Sequence, residues 1–204
     1  MKIKSVSAIC KANRSIILYE GESCQWIGDG AAIFPLFGLP KMTEEHIFTM
    51  FDVPENKRDG FYFKSYEETQ PFCFEDIDVA EQLLDRATLS IYTKGRTLEP
   101  LKTSLGITFI NERYLQPFSD APGGFEFYER ISPSGQVYIA VKVGFMLYGL
   151  ILPYDIVSDD FVQDLDSLLK LSEIALENKK AAELEKNKNH NQTNFGSDGA
   201  ETES

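Results

Sequence analysis

One pattern of apolar and polar positions occurs twice along the chain. An apolar run closes on Leu-Pro and meets a capped helix that begins with acids. The first copy runs from Ala31 to Pro40, then Thr43, Glu44 and Glu45 ahead of Ile47, Phe48, Met50 and Phe51. The second runs from Phe145 to Pro153, then Ser158, Asp159 and Asp160 ahead of Phe161, Val162 and Leu165. Thr43 and Ser158 are N-cap residue types, and the acids behind them favour the positive end of a helix dipole. The echo predicts strand–turn–helix units and leaves open a division into two related halves, 1–87 and 88–177.

Turn signals punctuate the rest. Gly28-Asp29-Gly30, Lys94-Gly95-Arg96 and Pro133-Ser134-Gly135 each lie between strand-like runs, which marks hairpins. Strands are expected over 3–10, 15–19, 24–27, 31–34, 61–66, 89–93, 97–101, 106–110, 125–131, 137–143 and 145–152. Asp78 and Glu81 have the spacing of a capping box for a short helix ending near Arg86. Phe161, Val162, Leu165, Leu168, Leu169 and Leu176 recur at helical spacing and predict a helix whose stripe covers a sheet face. Past Leu176 apolar residues become scattered. The helix is expected to reach about Lys186, and the remainder of 178–204 reads as a disordered polar tail. The fold class is therefore α+β: antiparallel hairpins and a meander packed by a few helices, with a long C-terminal helix, in one domain over 1–177.

The formal charge of −12 changes the picture. It opposes nucleic-acid phosphates and anionic membranes, and it suits a basic protein partner or plain solubility. The densest cations, Lys94, Arg96 and Lys102, sit around one hairpin and make no groove with stacking aromatics. Strong direct nucleic-acid binding is not expected. Cys10, Cys24 and Cys73 form no CxxC pair and fit a reducing cytoplasm. The start has no leader-like apolar stretch, and the longest apolar run, 144–153, is too short to span a bilayer.

Candidate chemistry is sparse. His46 stands early in a helix and reads as structural, and His190 falls in the tail. Neither a nucleophile motif nor a glycine-rich phosphate loop is present. Glu75, Asp76, Asp78 and Glu81 cluster, and Asp76 with Asp78 has the ligand type for a divalent cation. An acid-rich helix start is the preferred explanation of these carboxylates. The expectation is a non-enzyme with no catalytic residues, no cofactor and no metal.

Residues 1–13, Gln25 to Gly30, Phe51 to Pro54 and Thr108 to Leu115 resemble stretches of uncharacterised proteins carried by phages and mobile elements of Gram-positive, gut-type bacteria. That resemblance implies a genomic setting and no activity. Gln25 to Phe34 also resembles the hairpin of DNA sliding clamps that turns on Asp-Gly. Tyr148 to Pro153 is similar to the tyrosine-to-proline strand near a clamp's C-terminus. This second likeness implies a replication accessory. The leading expectation is a non-catalytic accessory protein that binds another protein. A clamp-like factor and an acidic inhibitor of a host defence nuclease are the alternatives. Glu44, Glu45, Asp159 and Asp160 are the candidate partner-binding acids. Partner identity and oligomeric state are left open.

Overall fold

The computed structural model of the chain describes residues 1–66 and 72–193, with side chains described to Lys186. It divides into two compact units, Met1–Asp155 and Ile156–Ser204. The fold is α+β, as the patterning predicts.

The first unit opens with helix α1, Ile3–Asn13, where a strand is expected. Val6, Ile9 and Cys10 are buried on one face, and Lys4, Ala8, Lys11 and Ala12 are exposed on the other. That spacing is helical; Arg14 then ends the helix in the left-handed conformation, at φ 49°. A meander follows: β1, Ser15–Glu20; β2, Gln25–Gly28; β3, Ala32–Pro35. Next come α2, Glu44–Met50, α3, Glu55–Arg58, and strand β4, Tyr62–Tyr66. Strand β5 is the short pair Gln82–Leu83. Strands β6, Ile91–Thr93, β7, Arg96–Thr103, and β8, Gly106–Asn111, form a separate three-stranded sheet. A 3-10 helix, Glu112–Phe118, leads into β9, Glu126–Ile131, β10, Val137–Val143, and β11, Met146–Ile151.

The main sheet has the order β4-β1-β2-β3-β11-β10-β9-β5. It is antiparallel except for β4 beside β1. Helix followed by three-stranded meander occurs twice, as α1-β1-β2-β3 and as the 3-10 helix-β9-β10-β11. The two meanders join at the centre, where Ile33 faces Leu150 and Ala32 faces Ile151. The two helices also meet, with the Lys2 amide donating to the Pro117 carbonyl at 2.9 Å.

Both faces of the sheet are covered, so its strands alternate between two cores. In β10, Ile139 and Val141 face one core while Tyr138 and Ala140 face the other. The first core takes Val6, Ile9 and Cys10 from α1, Ile47, Phe48 and Phe51 from the α2 region, and Tyr114, Leu115 and Phe118 from the 3-10 helix. Phe118 comes so close to the sheet that a Cβ on Gly149 would lie 2.6 Å from its ring. The second core is aromatic: Tyr19, Trp26 and Tyr138 meet Phe72 and Phe74 from the chain ahead of β5.

The helix predicted from Asp78 and Glu81 does not form. Glu81 is drawn inward by two cations, and Gln82 and Leu83 pair instead with Glu129 and Tyr128 of β9. In the second unit, α4 spans Asp159–Thr193, beyond the expected end at Lys186. Along its apolar stripe, Leu165 is 40% and Leu169 58% exposed. Glu67 and Glu68, expected on a surface loop, lie outside the described residues, as does the end of the expected tail, 194–204.

Candidate functional site

The aromatic face of the sheet is crossed by residues 72–81, and one buried arginine holds that crossing in place. Arg130 of β9 has a fully buried side chain. Its Nε and Nη2 donate to Glu81 Oε2 at 2.8 and 2.5 Å. Nη1 donates to the carbonyls of Cys73 and Glu75 at 3.1 and 2.9 Å, and Nη2 also reaches the Asp76 carbonyl at 3.3 Å. Lys142 of β10 donates to the other Glu81 oxygen at 2.6 Å. The planar fork of an arginine suits this task, because one group meets several fixed acceptors at once. Tyr138 adds another tie, its hydroxyl accepting from the Cys73 amide at 3.1 Å. Burial raises its phenol pKa above the ordinary value.

This network settles where the predicted carboxylate cluster goes. Glu81 balances Arg130 and Lys142. Asp76 Oδ1 accepts from the Leu147 amide at 2.7 Å, and Asp78 Oδ1 from the Ala80 amide at 2.9 Å. Among the described residues, no group of three or more His, Cys, Asp or Glu is placed to hold a metal. His46 closes a capping box: its Nδ1 accepts from the Thr43 amide, and its own amide donates to Thr43 Oγ1. Burial and the nearby Asp29 push the Cys10 thiol well up, so no thiolate forms there at neutral pH.

The tied-down crossing forms one wall of an open cleft of about 630 Å³. Glu22 and Ser23 come from the β1–β2 turn, Trp26 from β2, Phe37 from the chain after β3, and Met146 from β11. Phe74, Glu75 and Asp76 complete it. Trp26 and Phe74 pack with ring centroids 5.0 Å apart, and Phe37 packs edge-on against Tyr148. Glu22, Glu75 and Asp76 are exposed, as are Phe37 and Met146. Carboxylates beside aromatic faces attract organic cations through both charge and ring quadrupole.

A second cleft, of about 600 Å³, has the opposite character. Arg86, Lys94, Arg96 and Arg113 line it, with Glu99 and Glu112. Arg86 is paired to Glu99 and stacked over Phe125 and Phe127. Arg96 donates to the Tyr154 hydroxyl. Arg113 reaches the Ile9 carbonyl and Asn13 at the end of α1. Lys94 and Arg96 were visible as a hairpin pair in the sequence; Arg86 and Arg113 join them only through the fold.

The predicted acids Glu44 and Glu45 open α2 in the first unit, where Glu45 accepts from Arg58 at 2.6 Å. Asp159 and Asp160 open α4 in the second. Glu44 and Glu45 line neither of the two clefts. Among the described residues, no helix is long and apolar enough to cross a membrane. No protein-family model, curated protein or solved structure matches this chain.

Proposed function

We propose that the protein is a non-catalytic accessory factor that binds a basic segment of another protein, and that the acidic–aromatic cleft takes an arginine or lysine side chain. The observation that supports this is the convergence of Glu22, Glu75 and Asp76 on Trp26, Phe37 and Phe74. Exposed Phe37, Leu39, Phe145 and Met146 supply apolar contact for the residues flanking the cation. Aromatic anchors with a charged rim are the composition of an interface hot spot. A phage or mobile-element inhibitor of a nucleic-acid-handling host enzyme is one setting in which such a partner occurs. Glu44, Glu45, Asp159 and Asp160 are retained as accessory acidic contacts.

Trp26 is the only tryptophan, so its fluorescence reads the cleft directly. An arginine-rich peptide with flanking leucines should change that fluorescence saturably, with weaker binding at high salt. Glu22→Lys with Glu75→Lys should weaken it at least tenfold, while Glu44→Lys with Glu45→Lys should change it less. No response at millimolar peptide, or equal binding by the cleft variant, would overturn the proposal.

A sliding-clamp-like role is the second reading. Its support is the twice-used helix–meander order with two adjoining helices, and the cations Lys2, Lys4, Lys11 and Arg14 that begin the chain. A clamp-like protein should be a ring-sized oligomer by light scattering and be retained on circular DNA but not on linear DNA. A monomer with no such retention would remove this reading.

A further inference from the structure

We infer that the cleft lined by Arg86, Lys94, Arg96 and Arg113 is a binding site for a phosphomonoester of about nucleotide size. This goes beyond the partner-binding proposal and uses a different cleft. Arg86 is committed to Glu99. Lys94, Arg96 and Arg113 make no ion pair among the described residues. Glu112 offsets one of these charges, so four cations against two carboxylates leave an excess of two positive charges in the lining. A phosphomonoester carries about −1.5 to −2 at neutral pH, which matches that excess.

Geometry narrows the class further. The three unpaired cations reach the space from different directions: Lys94 from the β6–β7 turn, Arg96 from the start of β7, and Arg113 from the 3-10 helix. A tetrahedral phosphate can accept from several directions at once, whereas a planar carboxylate presents only two oxygens. The volume, about 600 Å³, lies within the range of small-molecule sites and exceeds what a bare phosphate fills. The half-exposed Arg86 guanidinium, over the Phe125 ring at 5.5 Å from its centroid, provides a flat surface for a planar ring. Gln116 and Ser119 add neutral polar groups to the lining.

Two of the three cations are also held by hydrogen bonds. Arg96 is held by Tyr154, and Arg113 by Ile9 and Asn13, so neither guanidinium must be ordered at the moment of binding. Holding cations in place beforehand removes part of the entropic cost of association.

Isothermal titration with adenosine monophosphate, inorganic phosphate and a single-stranded oligonucleotide tests this on the full chain. The monophosphate should bind at least tenfold more tightly than inorganic phosphate. Lys94→Glu and Arg96→Gln should each weaken it at least tenfold with the circular dichroism spectrum unchanged, whereas Lys57→Glu, an exposed cation on α3, should have no effect. Lack of saturable binding at millimolar monophosphate would overturn the proposal. So would equal weakening by Lys57→Glu. Oligonucleotide binding more than tenfold tighter than the monophosphate would overturn it too, because the face would then read a polymer.

Discussion

The two clefts of the first unit use arginine in opposite ways. At the acidic–aromatic cleft, Arg130 is hidden behind the wall and spends its donors on Glu81 and three carbonyls. At the basic cleft, Arg96 is exposed, donates to the Tyr154 hydroxyl and lies over that ring. One arginine builds a negative surface by holding its backbone; the other is itself the surface. The contrast shows why a net charge of −12 describes the potential at neither place.

The sharpest way to break the comparison is to remove the hidden arginine. Arg130→Met should cost about 3–5 kcal/mol in urea unfolding, because it strands a buried Glu81 beside Lys142 alone. Limited proteolysis should then cut within 72–81. A loss below about 1 kcal/mol with the segment still protected would mean that the aromatic contacts alone hold the wall.

A second test concerns the ground under the basic cleft. Tyr114, next to Arg113, donates to Asp29, and Cys10 lies close by; burial first, and then Asp29, raise both pKa values. The folded state therefore keeps both protons to higher pH than the unfolded chain does. Stability should be fully present below the ordinary thiol and phenol values of 9.0 and 10.0, and be lost as pH rises above them. The expected slope is up to about 1.4 kcal/mol per pH unit for each group. Urea midpoints between pH 7 and 11 measure it, and Cys10→Ala should flatten the first part of the fall. A level profile would show that the cluster opens to water.

Arg96→Gln should cost less than about 1 kcal/mol, as for any exposed polar contact. Thermal melts at neutral pH will show whether it behaves as Arg130 does or as a surface cation. The smallest effect is expected in α4. Leu165→Ala and Leu169→Ala should each stay within about 0.5 kcal/mol, since both side chains are exposed. A cost of several kcal/mol would place that stripe in a contact.

Much of the fold was legible because turns and caps are local. The three glycine-bearing hairpins, the Thr43 cap and the central strands follow from neighbouring residues alone. The misses share a cause. Residues 3–10 hold too few polar positions to separate a period of 2 from a period of 3.6, and the core that chose the helix includes Tyr114 and Phe118, far along the chain. Glu81 has the spacing of a helix cap, yet Arg130 and Lys142 outbid the local arrangement. Both clefts were hidden for the same reason. Glu22 and Glu75, or Arg86 and Arg113, meet only once strands distant in sequence have paired.

The central pairing of Ile33 with Leu150 also orders events in time. On the ribosome, β3 is made long before β11 exists, so it must wait as an unprotected edge while most of the first unit is synthesised. Contacts this remote in sequence form slowly, and the waiting edge is the natural place for wrong pairing. Nascent chains that stop before β9 should therefore be captured by chaperones and accumulate as aggregates, and chains that extend past β11 should not.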